Sequence, residues 1–254
     1  MVTFEAIATH STLIDENDFF SHYYNSEAPF RYDSNFFQLK YSPIKVEFEL
    51  IETMHWTFSE EYDLTHVKFY WPENQGIHPD TLDYLNQEEY GLEKLELYSI
   101  TPSDFAVTTE NPDISIQVVT YDNLNIFKSI NYIEDKIIST SFAGAKQPFY
   151  DKLFQDESIT FLLAYYKGKA AGSCIIVESA EGLELDDLFT LKEYRLRGVA
   201  KALLDYIIKQ AASKQKIVFL VADAEDSPKE MYLKSGFNYE GFRIGAQKMI
   251  KGDD

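Results

Sequence analysis

In the second half of the chain, segments whose hydrophobic residues are typical of strands alternate with segments whose hydrophobic residues have helical spacing. Residues 114–120 (ISIQVVT) and 183–191 (LELDDLFTL) are rich in strand-forming side chains. Residues 159–178 predict two further strands, joined by a tight turn at KGKA. Residues 121–137 and 198–213 instead place apolar side chains three and four positions apart, which predicts two amphipathic helices.

Shorter segments complete this pattern. Residues 145–156 and 227–236 predict two short helices, and residues 217–222 (IVFLVA) predict a strand buried on both faces. Residues 237–250 have β character. The predicted order over residues 113–254 is therefore β-α-α-β-β-β-α-β-α-β, which indicates an α/β fold with a mixed central sheet and covering helices.

The first half predicts a smaller α+β unit. Residues 44–52 (IKVEFELIE) and 66–72 (HVKFYWP) resemble strands, residues 79–90 a helix, and residues 92–100 another strand. This last helix and strand loosely resemble the end of the chain, YLKSGFNYEGFRIGAQKMI, at residues 232–250. The similarity indicates either a diverged duplication or chance.

Charge divides the chain in the same way. The formal net charge is −19, of which residues 1–112 carry −16 and residues 113–254 carry −3. The polar segment TPSDFAVTTENPD, residues 101–113, resembles a linker. We therefore expect an acidic N-terminal domain of unknown role at residues 1–112 and a second domain at residues 113–254.

Composition limits the possible partners and location. An acidic surface repels nucleic acid and anionic membranes and attracts cationic ligands, although it also serves solubility alone. The single cysteine, Cys174, cannot form an internal disulfide, and no secretory signal begins the chain. The longest apolar runs are too short to cross a bilayer. These features predict a cytoplasmic protein.

The segment EYRLRGVAKALL, residues 193–204, places Arg195 and Arg197 beside Gly198 where a predicted helix begins. A helix N-terminus presents unpaired backbone N–H groups and about half a unit of positive charge. Gly198 lets a ligand approach the backbone, and the small Ala200 leaves space over the first turn. We expect an anion site suited to a pyrophosphate. The alternative is an ordinary helix whose arginines are solvated.

The spacing R-x-x-G-x-A differs from the glycine patterns of dinucleotide-binding folds and P-loops. Followed by KALL, and with MYLKSGF downstream at residues 231–237, it resembles the GNAT superfamily of acyl-CoA-dependent N-acetyltransferases. The resemblance covers about residues 113–250. It implies a GNAT-like fold there, acetyl-CoA as cosubstrate, and no metal.

The resemblance also implies which residues bind the coenzyme. In the family, backbone amides of this loop bind the CoA pyrophosphate, and the preceding strand diverges from its neighbour and pairs with the pantetheine arm. The corresponding residues here are Leu188, Phe189, Thr190, Arg195, Leu196, Arg197, Gly198, Val199, Ala200, Lys201 and Asp226. This sequence departs from the family pattern in two places: Ala200 replaces a commoner glycine, and acidic Asp226 lies where an asparagine is frequent.

Acyl transfer to an amine needs a base, because a lysine-like amine has a pKa of about 10.4 and is protonated near neutral pH. Glu184 lies on the strand before the loop, where some family members place this base. By strand periodicity Asp186 shares its face, and Asp187 points to the other face. The alternative is that these acids line a solvated edge.

The leaving thiolate needs a proton, and the acyl carbonyl needs polarisation. Tyr232 of MYLKSGF matches the family's tyrosine near the CoA sulfur and would donate that proton, unless its ring only packs the helix on the sheet. Backbone N–H groups near residues 188–190 would polarise the carbonyl. Cys174 has no histidine in its predicted domain to activate it, so we expect a buried core residue rather than a nucleophile.

Two functions follow from these residues. The first is an N-acetyltransferase that moves an acetyl group from acetyl-CoA to a primary amine by direct attack in a ternary complex. The second is a non-catalytic CoA-binding module with a decayed acceptor site. The acidic first half favours a cationic small molecule as the amine, and it would form a wall of the acceptor site or a homodimer interface.

Overall fold

A computed structural model describes residues 2–106, 111–225 and 229–250 of the chain. In the first half, the regular elements are β1 (Thr12–Glu16), β2 (Phe20–Tyr24), β3 (Phe36–Leu39), α1 (Lys45–Glu61), β4 (His66–Tyr70), α2 (Pro79–Gln87) and β5 (Gly91–Ile100).

The second half begins with β6 (Ile114–Val118), α3 (Leu124–Asp135), α4 (Thr140–Leu153), β7 (Ile159–Tyr166) and β8 (Lys169–Glu178). It continues with β9 (Leu183–Thr190), α5 (Val199–Lys214), β10 (Val218–Asp223), α6 (Lys229–Lys234) and β11 (Asn238–Met249). This order confirms the mixed α/β arrangement predicted for this part of the chain.

All eleven described strands form one sheet, in the order β1-β2-β3-β4-β11-β5-β10-β9-β8-β7-β6. The pairs β3–β4 and β9–β10 are parallel, and the other neighbouring strands are antiparallel. Strands from both sides of residue 112 thus share one sheet, and the division into domains 1–112 and 113–254 stays a prediction.

The two halves of the chain repeat one topology. From β2 to β5, an antiparallel pair is followed by a helix, a parallel strand, a second helix and a last strand, and the same order runs from β8 to β11. The last strands are exchanged, because β11 pairs with β4 while β5 pairs with β10. This repeat supports the duplication hypothesis.

The predicted strand at residues 44–52 is wrong, because helix α1 covers this segment. Its apolar positions alternate as in a strand, yet Val46 and Leu50 are 64% and 66% exposed. Phe48 and Ile51 are buried on one helix face and belong to the core that contains Val67 of β4. The helical spacing of the buried positions therefore decides the structure.

Helices cover both faces of the sheet in the second half. On one face, Leu203 and Ile207 of α5 share a core with Leu185 of β9. On the other face, Phe127 of α3 and Tyr150 of α4 share a core with strands β7 and β8. Within the described ranges, no helix combines the length and apolar character that a membrane span requires.

An N-terminal arm, residues 2–11, crosses the sheet on the face opposite α5. Phe4 packs in a small core with Leu97 of β5 and Phe219 of β10. Further along, the backbone N–H of Ala8 donates to Glu184 on β9. The arm therefore ties the beginning of the chain to the centre of the sheet.

Candidate functional site

Strands β9 and β10 separate in the middle of the sheet. They pair only at Leu183 with Val218 and at Glu184 with Phe219, although both strands continue beyond this point. Across residues 185–190, the edge of β9 that faces β10 has no strand partner in the described part of the chain, while its other edge pairs with β8. Backbone N–H and C=O groups on this edge are available to an extended ligand.

A bulge interrupts β9 at Asp187. Its φ is 48°, and the register with β8 shifts between Ser173 and Ile175. The Asp187 carboxylate accepts from Lys146 Nζ of α4 at 2.8 Å and from the Tyr150 hydroxyl at 3.3 Å. The prediction that Asp187 points away from the face of Glu184 is therefore wrong, because the left-handed bulge turns it towards α4.

The loop between β9 and α5 holds both arginines with its own backbone. Arg195 Nε donates to the Thr190 carbonyl at 3.1 Å, and Arg197 Nε donates to the Glu193 carbonyl at 3.2 Å. Arg195 also lies 3.4 Å from a carboxylate oxygen of Glu134 on α3. These contacts hold two exposed guanidinium groups beside the start of α5.

The start of α5 is open. Gly198 precedes the helix with a left-handed φ of 90°, a conformation that costs an L-residue about 1 kcal/mol. No side chain of the described residues caps α5, and a Cβ on Gly198 would meet only Ile114 Cδ1, at 3.8 Å. Among the described residues, the backbone N–H groups from Val199 to Lys201 thus begin a helix without a side-chain cap, which suits an anion.

The end of β9 carries an unsatisfied hydroxyl. Thr190 Oγ1 is buried and has no hydrogen-bond partner among the described residues. A buried hydroxyl in this state costs about 1–3 kcal/mol, so a ligand atom that bonds to it is favoured. The two preceding side chains pack in opposite directions, Leu188 towards the core under α5 and Phe189 towards the core under α4. This end of β9 therefore fits a ligand that supplies a polar partner.

Glu184 lies where the two strands separate. Its side chain is buried, and its Oε2 accepts from the Ala8 N–H at 2.8 Å. Burial, and next the neighbouring Asp186 carboxylate, raise the pKa of Glu184 to about 8. The alternative of a solvated edge does not hold for Glu184. A carboxyl group with this pKa can exchange a proton near neutral pH.

Asp186 and Asp187 differ in their charge environment. Burial and then the Asp187 carboxylate raise the pKa of Asp186. Burial also acts to raise the pKa of Asp187, but the Lys146 ammonium outweighs it, and the pKa is lowered. Asp187 is therefore the ionised partner of Lys146, while Asp186 and Glu184 hold protons more tightly than ordinary carboxyl groups do.

Comparison with family models divides the chain into two parts. Residues 2–98 match a domain of unknown function (DUF5613), and residues 130–237 match the Acetyltransferase (GNAT) family. The second match confirms the GNAT resemblance predicted for the second half of the chain, and we refer to residues 130–237 as the GNAT domain. None of the curated proteins compared with the chain matches it significantly.

Three solved structures are similar to this chain in fold. A functionally unknown conserved protein from Staphylococcus epidermidis ATCC 12228 is similar over 98% of both chains, at 25% identity and a TM-score of 0.91. A GCN5-related N-acetyltransferase from Sphaerobacter thermophilus is similar at 17% identity and a TM-score of 0.58, over 80% of this chain and 69% of that one. A tandem GNAT protein from the clavulanic acid biosynthesis pathway gives 11% identity and a TM-score of 0.51, over 81% and 70%.

Tyr232 lies on α6 of the GNAT domain and is 6% exposed. Its ring centroid lies 5.7 Å from that of Phe237, edge to face, and 6.2 Å from that of Tyr98 on β5. The ring therefore packs α6 against the sheet on the side of α5. This contact explains part of the MYLKSGF motif and leaves the role of the hydroxyl as a proposal.

The other predicted coenzyme residues lie around the same loop. Leu196 has a φ of 61° and is fully exposed, and Lys201 is exposed on the first turn of α5. Val199 is buried in the core under α5, and Ala200 is partly buried. The predicted contact at Asp226 lies outside the described residues.

The equivalent position in the first half has no anion site. Helix α1 follows β3 as α5 follows β9, but its start carries neither glycine nor arginine. The Glu47 carboxylate accepts from the Ile44 N–H at 3.2 Å and so occupies the start of α1 with a negative charge. Of the two halves of the repeat, only the GNAT half has, in the described ranges, a helix start that is flanked by arginines and lacks a side-chain cap.

Sequence reasoning did not predict several residues that shape this site. Ala8 of the arm contacts Glu184 across 176 positions of sequence, and no local pattern marks it. Lys146 was recognisable only as a lysine on the apolar face of a predicted helix. Cys174 is fully buried with its pKa raised by burial, as expected for a core residue. The described residues contain no group of three His, Cys, Asp or Glu side chains placed to hold a metal.

Proposed function

We propose that this protein is an N-acetyltransferase that moves an acetyl group from acetyl-CoA to a primary amine by direct attack in a ternary complex. One observation supports it above the others: the uncapped start of α5 lies at the end of the same strand, β9, that separates from β10. An anion site and a free strand edge are the two features that a diphosphate followed by an amide-containing arm requires.

Particular residues of this chain would hold each part of the coenzyme. The N–H groups at Val199, Ala200 and Lys201, with the flanking cations of Arg195 and Arg197, would hold the diphosphate. The free edge at residues 188–190 would hold the amide-containing arm, and Thr190 Oγ1 would gain a partner. When bound, acetyl-CoA supplies an activated acetyl group as a thioester.

Glu184 is the candidate base. Its carboxylate would remove a proton from the ammonium form of the acceptor, directly or through water, so that the nitrogen lone pair is free to attack. Its pKa of about 8 lies between neutral pH and the pKa of an alkylamine. Asp186, on the same strand, is the second candidate.

Two further groups would act on the thioester, one on its acyl oxygen and one on its sulfur. Backbone N–H groups on the free edge of β9 at residues 188–190 would donate to the acyl oxygen as negative charge develops there. Tyr232 would donate its phenolic proton to the departing thiolate sulfur as the carbon–sulfur bond breaks and the carbon–nitrogen bond forms. The ammonium form of the amine would give up two protons: one leaves through Glu184 before attack, and the other, lost from nitrogen after attack, restores the proton that Tyr232 gave to sulfur.

The acceptor we propose is a cationic small molecule. The first 112 residues carry a net charge of −16, which attracts an ammonium group. We also propose a cytoplasmic location, because the single cysteine is buried inside the GNAT domain. The homodimer expected from the sequence stays a prediction.

One observation favours the second function, a CoA-binding module without activity. The N–H of Ala8 occupies an oxygen of the candidate base, and the arm covers it. If the arm never moves, an amine cannot reach Glu184 along this path. The same fold would then bind the coenzyme without transferring its acetyl group.

A single assay separates the two functions. Thiol release from acetyl-CoA is measured against a panel of primary amines, and CoA binding is measured by calorimetry on the same preparation. We expect CoA to bind and thiol release to depend on at least one amine. CoA binding with no amine-dependent thiol release across the panel would support the module instead, and no CoA binding would contradict both functions.

A further inference from the structure

A cavity of about 570 Å³ lies between the N-terminal arm, strands β2 and β3, and residues 71–73, which follow β4. Phe4, Ile7 and Thr9 of the arm line it, whereas Ala8 between them donates its N–H to Glu184. The arm thus separates this cavity from the candidate base. Nothing in the proposed transfer reaction uses the cavity.

Arg243 of β11 lines this cavity in an unusual state. The residue is 5% exposed, and its Nε is buried without a hydrogen-bond partner among the described residues. Its charge acts to lower the pKa values of Asp33 and Glu184, but it forms no direct ion pair with a carboxylate of the described chain. Its guanidinium carbon lies 3.7 Å from the ring centroid of Tyr70 and 4.8 Å from that of Phe4. The two rings hold the guanidinium in place but accept none of its hydrogen bonds.

A guanidinium in this state is costly. A buried donor without an acceptor destabilises the folded state, and a charged donor does so more strongly. Trp71 also lines the cavity, and its Nε1 is buried without a partner among the described residues. A carboxylate matches the fork of N–H groups that a guanidinium presents and would satisfy it with two parallel hydrogen bonds.

The cavity is also lined by a carboxylate that has no ion-pair partner among the described residues. Glu73 lines the cavity and accepts from the Phe4 N–H at 3.3 Å, but no lysine or arginine of the described chain pairs with it. Glu16, by contrast, is neutralised by Lys40 at 2.9 Å. Glu73 and Arg243 share the cavity without forming an ion pair with each other, so a molecule between them can contact both.

We propose that this cavity binds a small zwitterion of the amino-acid type, whose carboxylate pairs with Arg243 and whose ammonium group pairs with Glu73. A free dianion such as phosphate fits less well, because Glu5 and Glu73 line the cavity and repel it. The rings of Phe4 and Trp71 offer apolar surface to the ligand's side chain. This site is separate from the CoA loop and does not depend on the proposed transferase activity.

Binding is tested on the full chain, without any activity assay. The twenty free amino acids are screened by ligand-observed NMR, and each one that binds is compared with its primary amide, with the acid lacking the amino group, and with inorganic phosphate. We expect at least one amino acid to bind about tenfold more tightly than both of its analogues and than phosphate. No binding by any amino acid, or equal binding of an analogue, overturns the proposal.

Variants assign the contacts. Arg243→Gln and Glu73→Gln should each weaken the amino acid about tenfold or more, and Arg243→Lys should weaken it less than Arg243→Gln. Lys45→Gln removes a cation that does not line the cavity and should leave binding unchanged. Far-ultraviolet circular dichroism checks that each variant is folded. Unchanged binding in folded Arg243→Gln or in folded Glu73→Gln, or an equal loss in Lys45→Gln, overturns the assignment of these residues.

Discussion

The carboxylate of Glu184 accepts a hydrogen bond of 2.8 Å from the backbone N–H of Ala8, so the beginning of the chain closes over the point where β9 and β10 separate. One hydrogen bond from a neutral donor does not offset the loss of hydration at a buried carboxylate. The raised pKa of Glu184, to about 8, follows from this imbalance and from Asp186 beside it. Two predictions test this.

The first prediction concerns stability. The pKa of Glu184 rises from 4.5 to about 8 on folding, so between these pH values the folded chain holds a proton that the unfolded chain releases. This group's contribution to the free energy of unfolding therefore falls as pH rises from about 4.5 to about 8. Glu184→Gln removes this dependence, and we expect it to gain about 1 kcal/mol or more over wild type between pH 5 and pH 9.

Thermal unfolding of both proteins at pH 5, 7 and 9 measures this difference. Glu181→Gln alters an exposed glutamate in the turn before β9 and serves as the control. Its difference from wild type should be the same at each pH. A pH-independent difference for Glu184→Gln would mean that Glu184 is ionised throughout this range.

The second prediction concerns turnover. A base acts in its deprotonated form, so amine-dependent thiol release should rise with pH and level off above about 8. Glu184→Gln should lower kcat about a hundredfold, within the range for loss of a general base, and remove this rise. CoA affinity should stay the same because Glu184 lies away from the loop. A variant that retains the wild-type pH profile would transfer the role to Asp186.

The third prediction concerns the anion site. Gly198→Glu puts a negative charge at the open start of α5, and we expect CoA affinity to fall tenfold or more. Gly198→Ala is the matched control, because its Cβ would meet only Ile114 Cδ1 at 3.8 Å. Both variants carry the backbone cost of φ 90°, about 1 kcal/mol of stability. Calorimetry with CoA measures affinity, and equal affinities in the two variants would contradict the site.

The loop around Gly198 was predictable because its chemistry is local. A glycine, two arginines and the following apolar stripe lie within one short segment, and the backbone geometry of a helix start follows from these neighbours. The strands and helices of the second half were predictable for the same reason, since their hydrophobic periods are long and regular.

Long-range relationships were not predictable in this way. The exchange of β5 and β11 depends on pairing between strands that lie far apart in the sequence. The local sequence of each predicts a strand but does not indicate its partner. The contact of Ala8 with Glu184 uses a backbone N–H, which every residue other than proline offers. Asp187 was assigned to the wrong face because strand alternation assumes regular backbone, and a single left-handed residue reverses it.

The fourth prediction separates two roles of Tyr232. Tyr232→Phe keeps the ring that packs on Phe237 and Tyr98, so we expect CoA binding to change little. If the hydroxyl protonates the thiolate, kcat for thiol release should fall about a hundredfold. Phe237→Leu, which alters the neighbouring ring, is the packing control. It should lower the unfolding temperature and leave kcat of the folded protein largely unchanged. Wild-type turnover in Tyr232→Phe would assign Tyr232 to packing alone.

The fifth prediction concerns the buried cation that holds the β9 bulge. Lys146 Nζ lies 3.0 Å from Asp135 and 2.8 Å from Asp187, and its side chain is 8% exposed. Lys146→Met leaves the buried Asp135 and the half-buried Asp187 without this cation, and we expect a loss of about 3–5 kcal/mol in the free energy of unfolding. Lys45→Met, which breaks the exposed pair with Glu49, should cost no more than about 1 kcal/mol. Denaturant unfolding measures both losses, and equal values would mean that the bulge is held by packing and not by Lys146.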